Sequence, residues 1–96
     1  MLLHILNRSP LDSRVPEQAL ISMGPDDRLL LIEDGVQGAL PALAVHFDGL
    51  EGRLFALRED LASRGLLSRC DKRVRLVDVA DFVTLTEEAE RTVSWY

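Results

Sequence analysis

Leu29-Leu30-Leu31-Ile32-Glu33-Asp34-Gly35 is the stretch that decides the fold. Four apolar residues in unbroken succession leave no polar face. Such a run suits a strand buried on both sides, as in a parallel sheet, whereas a half-exposed strand would alternate. A Leu-rich run can also be buried helix, but this one is short and ends in the turn signal Asp34-Gly35. Working outward, three more runs share this character: Leu2-Leu3-His4-Ile5-Leu6, Leu54-Phe55-Ala56-Leu57 and Val74-Arg75-Leu76-Val77. The starts, at residues 2, 29, 54 and 74, leave room in each interval for one helix and two short loops. That is the βαβ rhythm, and it predicts an α/β protein with a mostly parallel sheet of four to five strands. A chain of hairpins would show tighter spacing and more two-residue turns.

The intervals predict modest helices. Ser9-Pro10 breaks the chain after the first strand, and Pro16 is tolerated only in a first turn, so a helix begins near Ser13 to Val15. Ala19, Leu20 and Met23 form its apolar stripe, and Gly24-Pro25 stops it. In the second interval Val36, Ala39, Leu40 and Leu43 stand at helical spacing but Pro41 interrupts, which predicts a short or kinked helix and a loop near Asp48 to Gly52. A third helix carries Glu59 and Asp60 in its first turn, packs Leu61 and ends at Gly65. Asp78 is placed to cap a turn carrying Val79, Phe82 and Val83. The segment Thr92-Val93-Ser94-Trp95-Tyr96 reads as a fifth, edge strand or as an arm that docks on a neighbour.

Composition limits the function. Ninety-six residues allow one domain, spanning residues 1–96. With 47% hydrophobic and 28% charged residues the chain is ordinary for a globular protein, not a disordered one. No apolar run nears the ~20 residues that span a bilayer. Met1 to Leu6 does not read as a signal peptide, lacking a basic leader and a small-residue cleavage site. One cysteine excludes an internal disulfide framework and a Cys-rich zinc site, so the default expectation is a reducing, cytoplasmic setting. The net charge of −5 argues against direct contact with nucleic acid, where phosphate neutralisation dominates affinity.

Few residues offer chemistry. No glycine-rich phosphate loop is present, and the loop after the first run, Asn7-Arg8-Ser9-Pro10, contains no glycine, so no nucleotide cofactor is expected. His4 and His46 lie in different elements without paired ligand spacing, and no metal is expected; His4, inside a strand, reads as a packed, hydrogen-bonded residue. Asp34 and Asp78 each follow a strand, where α/β sites gather, although an Asp there more often caps a helix. Cys70 is the only candidate sulfur nucleophile. Arg69, Lys72 and Arg73 would favour its thiolate if the group is exposed; otherwise it is a loop cysteine without a task. Trp95 and Tyr96 either cover the domain's own core or anchor an interface, and Phe82 is the third interface candidate.

Four motifs in order resemble the TusB/DsrH family of sulfur-relay subunits. Leu3-His4-Ile5-Leu6-Asn7-Arg8-Ser9-Pro10 is similar to its N-terminal signature, and Leu30-Leu31-Ile32-Glu33-Asp34-Gly35-Val36 to its second segment. Ala56-Leu57-Arg58-Glu59-Asp60-Leu61-Ala62-Ser63-Arg64-Gly65-Leu66 resembles a third block, and Val77-Asp78-Val79-Ala80-Asp81-Phe82-Val83-Thr84-Leu85-Thr86 a fourth; a terminal Trp, here Trp95, is also typical. The resemblance implies a three-layer α/β/α domain of the DsrE-like type. It implies assembly with TusC-like and TusD-like sister subunits into a heterohexamer that passes persulfide sulfur toward 2-thiolation of the tRNA wobble uridine. The DsrH branch works instead in sulfur oxidation. Some DsrH-type members carry a cysteine in the first helix near the position of Ala19. Its absence here implies a non-catalytic subunit closer to TusB, with a Cys70-based persulfide carrier as the alternative.

Overall fold

The computed structural model describes residues 1–96. Strand β1 (Leu2–Leu6), helix α1 (Val15–Ser22), β2 (Arg28–Leu31), a short helix α2 (Pro41–Ala44), β3 (Leu54–Leu57), α3 (Arg58–Ser63), β4 (Arg75–Val77), α4 (Val79–Glu88) and β5 (Arg91–Trp95) follow in order. All five strands are parallel, in the order β4-β3-β2-β1-β5. The C-terminal aromatic segment is therefore an edge strand, with Leu6 opposite Trp95 and His4 opposite Val93. The apolar runs sit where two-faced burial requires them: Leu29, Leu30 and Leu31 are fully buried and all four residues of β3 are buried.

The two faces are covered unequally. Leu6, Leu29, Leu31, Leu54 and Ala56 pack on one face beneath Val15 and Leu20 of α1, Leu61 of α3 and the segment from Val36 to Leu50. On the other face Leu3, Leu30, Phe55 and Val77 meet only Leu85 of α4, flanked by Phe82 and Ala89. This single helix follows from the strand order. β4 and β5 are opposite edges, so their connection must cross the full width of the sheet. α4 starts at the carboxyl end of β4 and finishes at the amino end of β5, and that diagonal leaves the carboxyl ends of β1, β2 and β5 uncovered on this face. Val79 (53% exposed) and Val83 (50%) point away from the sheet, so of the three apolar residues expected on this turn only Phe82 joins the core.

The ends of the helices follow local chemistry. Pro16 stands in the first turn of α1. Asp78 accepts from the N–H of Asp81 at 2.8 Å and Asp81 returns a bond to the N–H of Asp78 at 3.1 Å, a reciprocal cap on α4. Gly65, at φ +68°, ends α3 in the left-handed conformation that glycine adopts without strain. In the second interval the expected short or kinked helix is a short one, flanked by 3-10 turns. Residues Glu33–Ala39 form 3-10 turns, Leu40 is extended (φ −72°, ψ 145°), and Pro41 opens α2, followed by another 3-10 turn at Val45–Phe47. The reason lies in proline: the residue before it avoids the helical region, and its own missing N–H is harmless at a helix start. Gly35 is where this segment touches the sheet. A Cβ there would lie 2.3 Å from the carbonyl oxygen of Leu6.

Candidate functional site

Two neighbouring features stand out on the β1–β5 side of the sheet. The first is a buried polar triad. His4, 2% exposed, lies in β1 between Leu29 of β2 and Val93 of β5. Its Nε2 is 3.0 Å from Oδ2 of Asp27, and its Nδ1 is 3.0 Å from Nε1 of Trp95. An indole N–H only donates, so Nδ1 must carry a lone pair, and the ring is the neutral tautomer that donates from Nε2 to Asp27. The imidazole and indole planes meet at 20°. Burial alone would raise the pKa of Asp27. Bonds from the N–H groups of Gly24 and Leu2, with the contact to His4, outweigh that and hold the carboxyl at about 2. Arg53 supports the same turn by donating to the carbonyl oxygens of Asp27 and Gly24 at 2.7 and 3.2 Å. His4 is thus the packed, hydrogen-bonded residue that its place in a strand suggested. Sequence reasoning missed Asp27. In Gly24-Pro25-Asp26-Asp27 nothing local distinguishes the buried carboxylate from its solvated neighbour.

The second feature is the corner that α4 leaves open. Ile5 and Ile32 are only partly buried there, and with Asn7, Glu33, Ser94 and the Trp95-Tyr96 pair they line a depression of about 160 Å³. Glu33 has φ +50°, a left-handed conformation that costs a non-glycine residue of order 1 kcal/mol. Its N–H is held at 2.6 Å by Oδ2 of Asp60, which fixes the strained turn at the rim. The three aromatic candidates meet around this region in different ways. Trp95 packs on the α1 side of the sheet and bonds His4; Phe82 packs against the cluster shared with Ile5 and Ile32; Tyr96 is 74% exposed.

The remaining candidates separate. Asp78 caps α4 as described, but Asp34 caps nothing: the 3-10 segment begins one residue earlier, and the Asp34 carboxylate pairs with Arg64 at 3.3 Å. Both carboxylates at the carboxyl edge are therefore engaged by their own chain, and no deep pocket opens between them. Cys70 lies at the end of a 3-10 turn (Leu67–Arg69) and borders an open, mainly apolar groove of about 710 Å³ with Leu11, Leu40, Pro41, Leu43 and Arg69. The basic flank does not activate it. Burial pushes the thiol upward and the negative charge of Asp71 adds to the effect. The guanidinium of Arg73 is turned instead to Asp71 (3.0 Å) and Asp48 (2.7 Å), and the thiol sits 3.5 Å from the carbonyl oxygen of Asp71. His46 is exposed, and no three ligating side chains gather in a metal-binding cluster. No helix is long and apolar enough to cross a membrane.

Comparison with known proteins places these features in a lineage. A family model described as DsrH like protein matches residues 8–92. Protein TusB of Serratia proteamaculans is 34% identical over 97 residues, covering 98% of this chain and 100% of that protein. Protein TusB of Escherichia coli K12 is 36% identical over 98 residues, again 98% and 100% of the two chains. By shape, the chain is similar to the crystal structure of ychN protein from E. coli, with a TM-score of 0.78 over 97% of each chain; at 15% identity this likeness shows the fold alone.

Proposed function

This chain belongs to the TusB/DsrH family, and from that membership we propose that it is a non-catalytic subunit of a sulfur-relay complex. In this reading it assembles in the cytoplasm with TusC-like and TusD-like sisters, as a TusBCD-like hetero-oligomer that passes persulfide sulfur toward 2-thiolation of the tRNA wobble uridine. Residues 1–96 act as one DsrE-like domain. The kinship with TusB across the whole chain carries the reading.

The chemistry of the only thiol supports the non-catalytic role. To accept sulfur, a thiolate must attack the outer sulfur of a donor persulfide, forming a new S–S bond as the donor leaves as thiolate. Cys70 is held toward the protonated form, and the first helix offers Ala19 rather than a cysteine. What the chain supplies instead is surface. The open corner at Ile5, Ile32 and Tyr96, bordered by Phe82 and Trp95, is the proposed site of contact with a sister subunit. Aromatic anchors beside partly buried aliphatic side chains are the groups that dominate such contacts.

Co-expression with the sister subunits tests the proposal. The chain should purify with both in fixed ratio, and Tyr96→Glu should weaken that association by at least tenfold while leaving the melting temperature unchanged. A chain that remains monomeric beside both sisters would end the reading. A second reading is favoured by the groove beside Cys70, in which that thiol itself carries persulfide. Mass spectrometry after incubation with a cysteine desulfurase separates the two, because only a carrier gains sulfur on Cys70. Work in sulfur oxidation, as in the DsrH branch, differs in the acceptor and predicts no loss of tRNA thiolation when the chain is deleted.

A further inference from the structure

Trp95 is the only tryptophan of the chain, and it is fastened by a nitrogen that must stay unprotonated. We infer that a second proton on His4 unlatches Trp95 and frees the carboxyl end of β5, so that the edge strand carries an acid-operated latch. The inference is independent of any role in sulfur relay.

The geometry dictates the outcome. Proton uptake at Nδ1 puts an N–H opposite the indole N–H at a separation of 3.0 Å, two donors with no acceptor between them. The opposite side of the ring gains, since Nε2 keeps its bond to an Asp27 carboxylate anchored by two backbone N–H groups. Protonation therefore strengthens the attachment of His4 to the β2 turn and breaks its attachment to β5. No other charge competes at the ring. Its register partners are Leu29 on β2 and Val93 on β5, and the residues of α1 and its C-cap packed on this face are Val15, Leu20 and Met23. Arg53 engages backbone oxygens of the Asp27 turn, Glu17 of α1 is exposed, and the Met1 ammonium pairs with Glu90 at the exposed amino end of the strand pair. The ladder to β1 runs the whole of β5, from Leu2 opposite Arg91 to Leu6 opposite Trp95, and the amino end is held in addition by the N–H of Glu90 bonding the carbonyl oxygen of Met1. What opens is the end that carries Trp95 and Tyr96, and with it the wall of the corner depression.

The test uses the full chain across pH 8 to 5, the range in which imidazoles change charge. Trp95 fluorescence, exchange of the indole N–H and the NMR signal of the His4 ring are followed together. The inference predicts one shared transition: emission moves to longer wavelength and indole exchange quickens about tenfold, the scale of one lost hydrogen bond, while far-UV circular dichroism stays constant. In His4→Gln the fluorescence transition disappears. Trp95→Phe supplies a reciprocal reading that does not depend on that variant folding. Without the donor that favours neutral His4, the ring takes its proton several-fold more readily. A Trp95 signal that is flat while His4 titrates, a transition that survives in His4→Gln, or an unchanged His4 titration in Trp95→Phe would each overturn the inference.

Discussion

Replacing Gly35 with alanine is expected to be the most damaging single-methyl change in this protein. The new Cβ would stand 2.3 Å from the carbonyl oxygen of Leu6 and 3.1 Å from its carbonyl carbon, both backbone atoms that cannot rotate away. Ordinary contact needs about 3.5 Å, so the Glu33–Ala39 segment must retreat by roughly 1 Å. That oxygen also accepts the N–H of Ile32 at 3.0 Å, and Gly35 itself donates to the carbonyl oxygen of Ile32 at 2.8 Å. Overpacking costs ~1–3 kcal/mol and a weakened hydrogen bond adds ~1, a total of about 2–4 kcal/mol. For a domain whose stability is of order 5–15 kcal/mol this is a large fraction, and at ~4–8 °C per kcal/mol the melting temperature should fall by roughly 8–32 °C. The assay is urea unfolding followed by Trp95 fluorescence and far-UV circular dichroism, which should coincide if the transition is two-state. Gly24→Ala is the control, because its Cβ would meet nothing closer than a 3.6 Å contact with Asp27 and should change stability by less than about 0.5 kcal/mol. A Gly35→Ala protein as stable as the Gly24→Ala protein would refute the close approach of this turn to β1.

Asp27→Asn should cost roughly 2 kcal/mol at pH 7, from a folded pKa of about 2 set against an unfolded value near 3.9. Because the folded value is the lower one, the contribution is complete above about pH 4 and fades as pH falls toward 2, so the two unfolding curves should converge in acid; a gap independent of pH would contradict the assignment. Asp78→Ala removes the acceptor for the N–H of Asp81 and should lower stability by about 1 kcal/mol in the same urea assay, with no change at all counting against the cap. Iodoacetamide should alkylate Cys70 several-fold more slowly than free cysteine at pH 7.5, read by mass spectrometry, since burial and Asp71 both disfavour the thiolate; faster labelling would reverse that reading.

Much of the fold is legible because strands buried on both faces have no polar alternation to hide them. β2 and β3 are continuous apolar runs for that reason. β4 is less plain, with Arg75 and Leu76 exposed, because it is an edge. The segment from Glu33 to Phe47 is legible only as a short or kinked helix, because its apolar spacing is helical while Pro41 and the extended Leu40 divide it into 3-10 and α pieces. The site was harder to read. His4 meets partners 23 and 91 positions away, a contact created by parallel pairing and invisible to any local pattern. Cys70 shows the opposite difficulty: of its basic neighbours in sequence, Arg73 turns to Asp48 and Asp71 in space. Asp34 and Asp78 look alike as residues that follow a strand, and only the exact start of the following turn makes one a cap and the other half of an ion pair.

The proposed role as a sulfur-free subunit is tested most directly by native mass spectrometry of the complex obtained on co-expression with both sister subunits, after loading with persulfide sulfur. The account predicts that this chain is present in fixed stoichiometry and leaves the complex at its unmodified mass, with the added sulfur on a sister. A chain absent from the assembly, or one that leaves it heavier by a sulfur atom on Cys70, would contradict it.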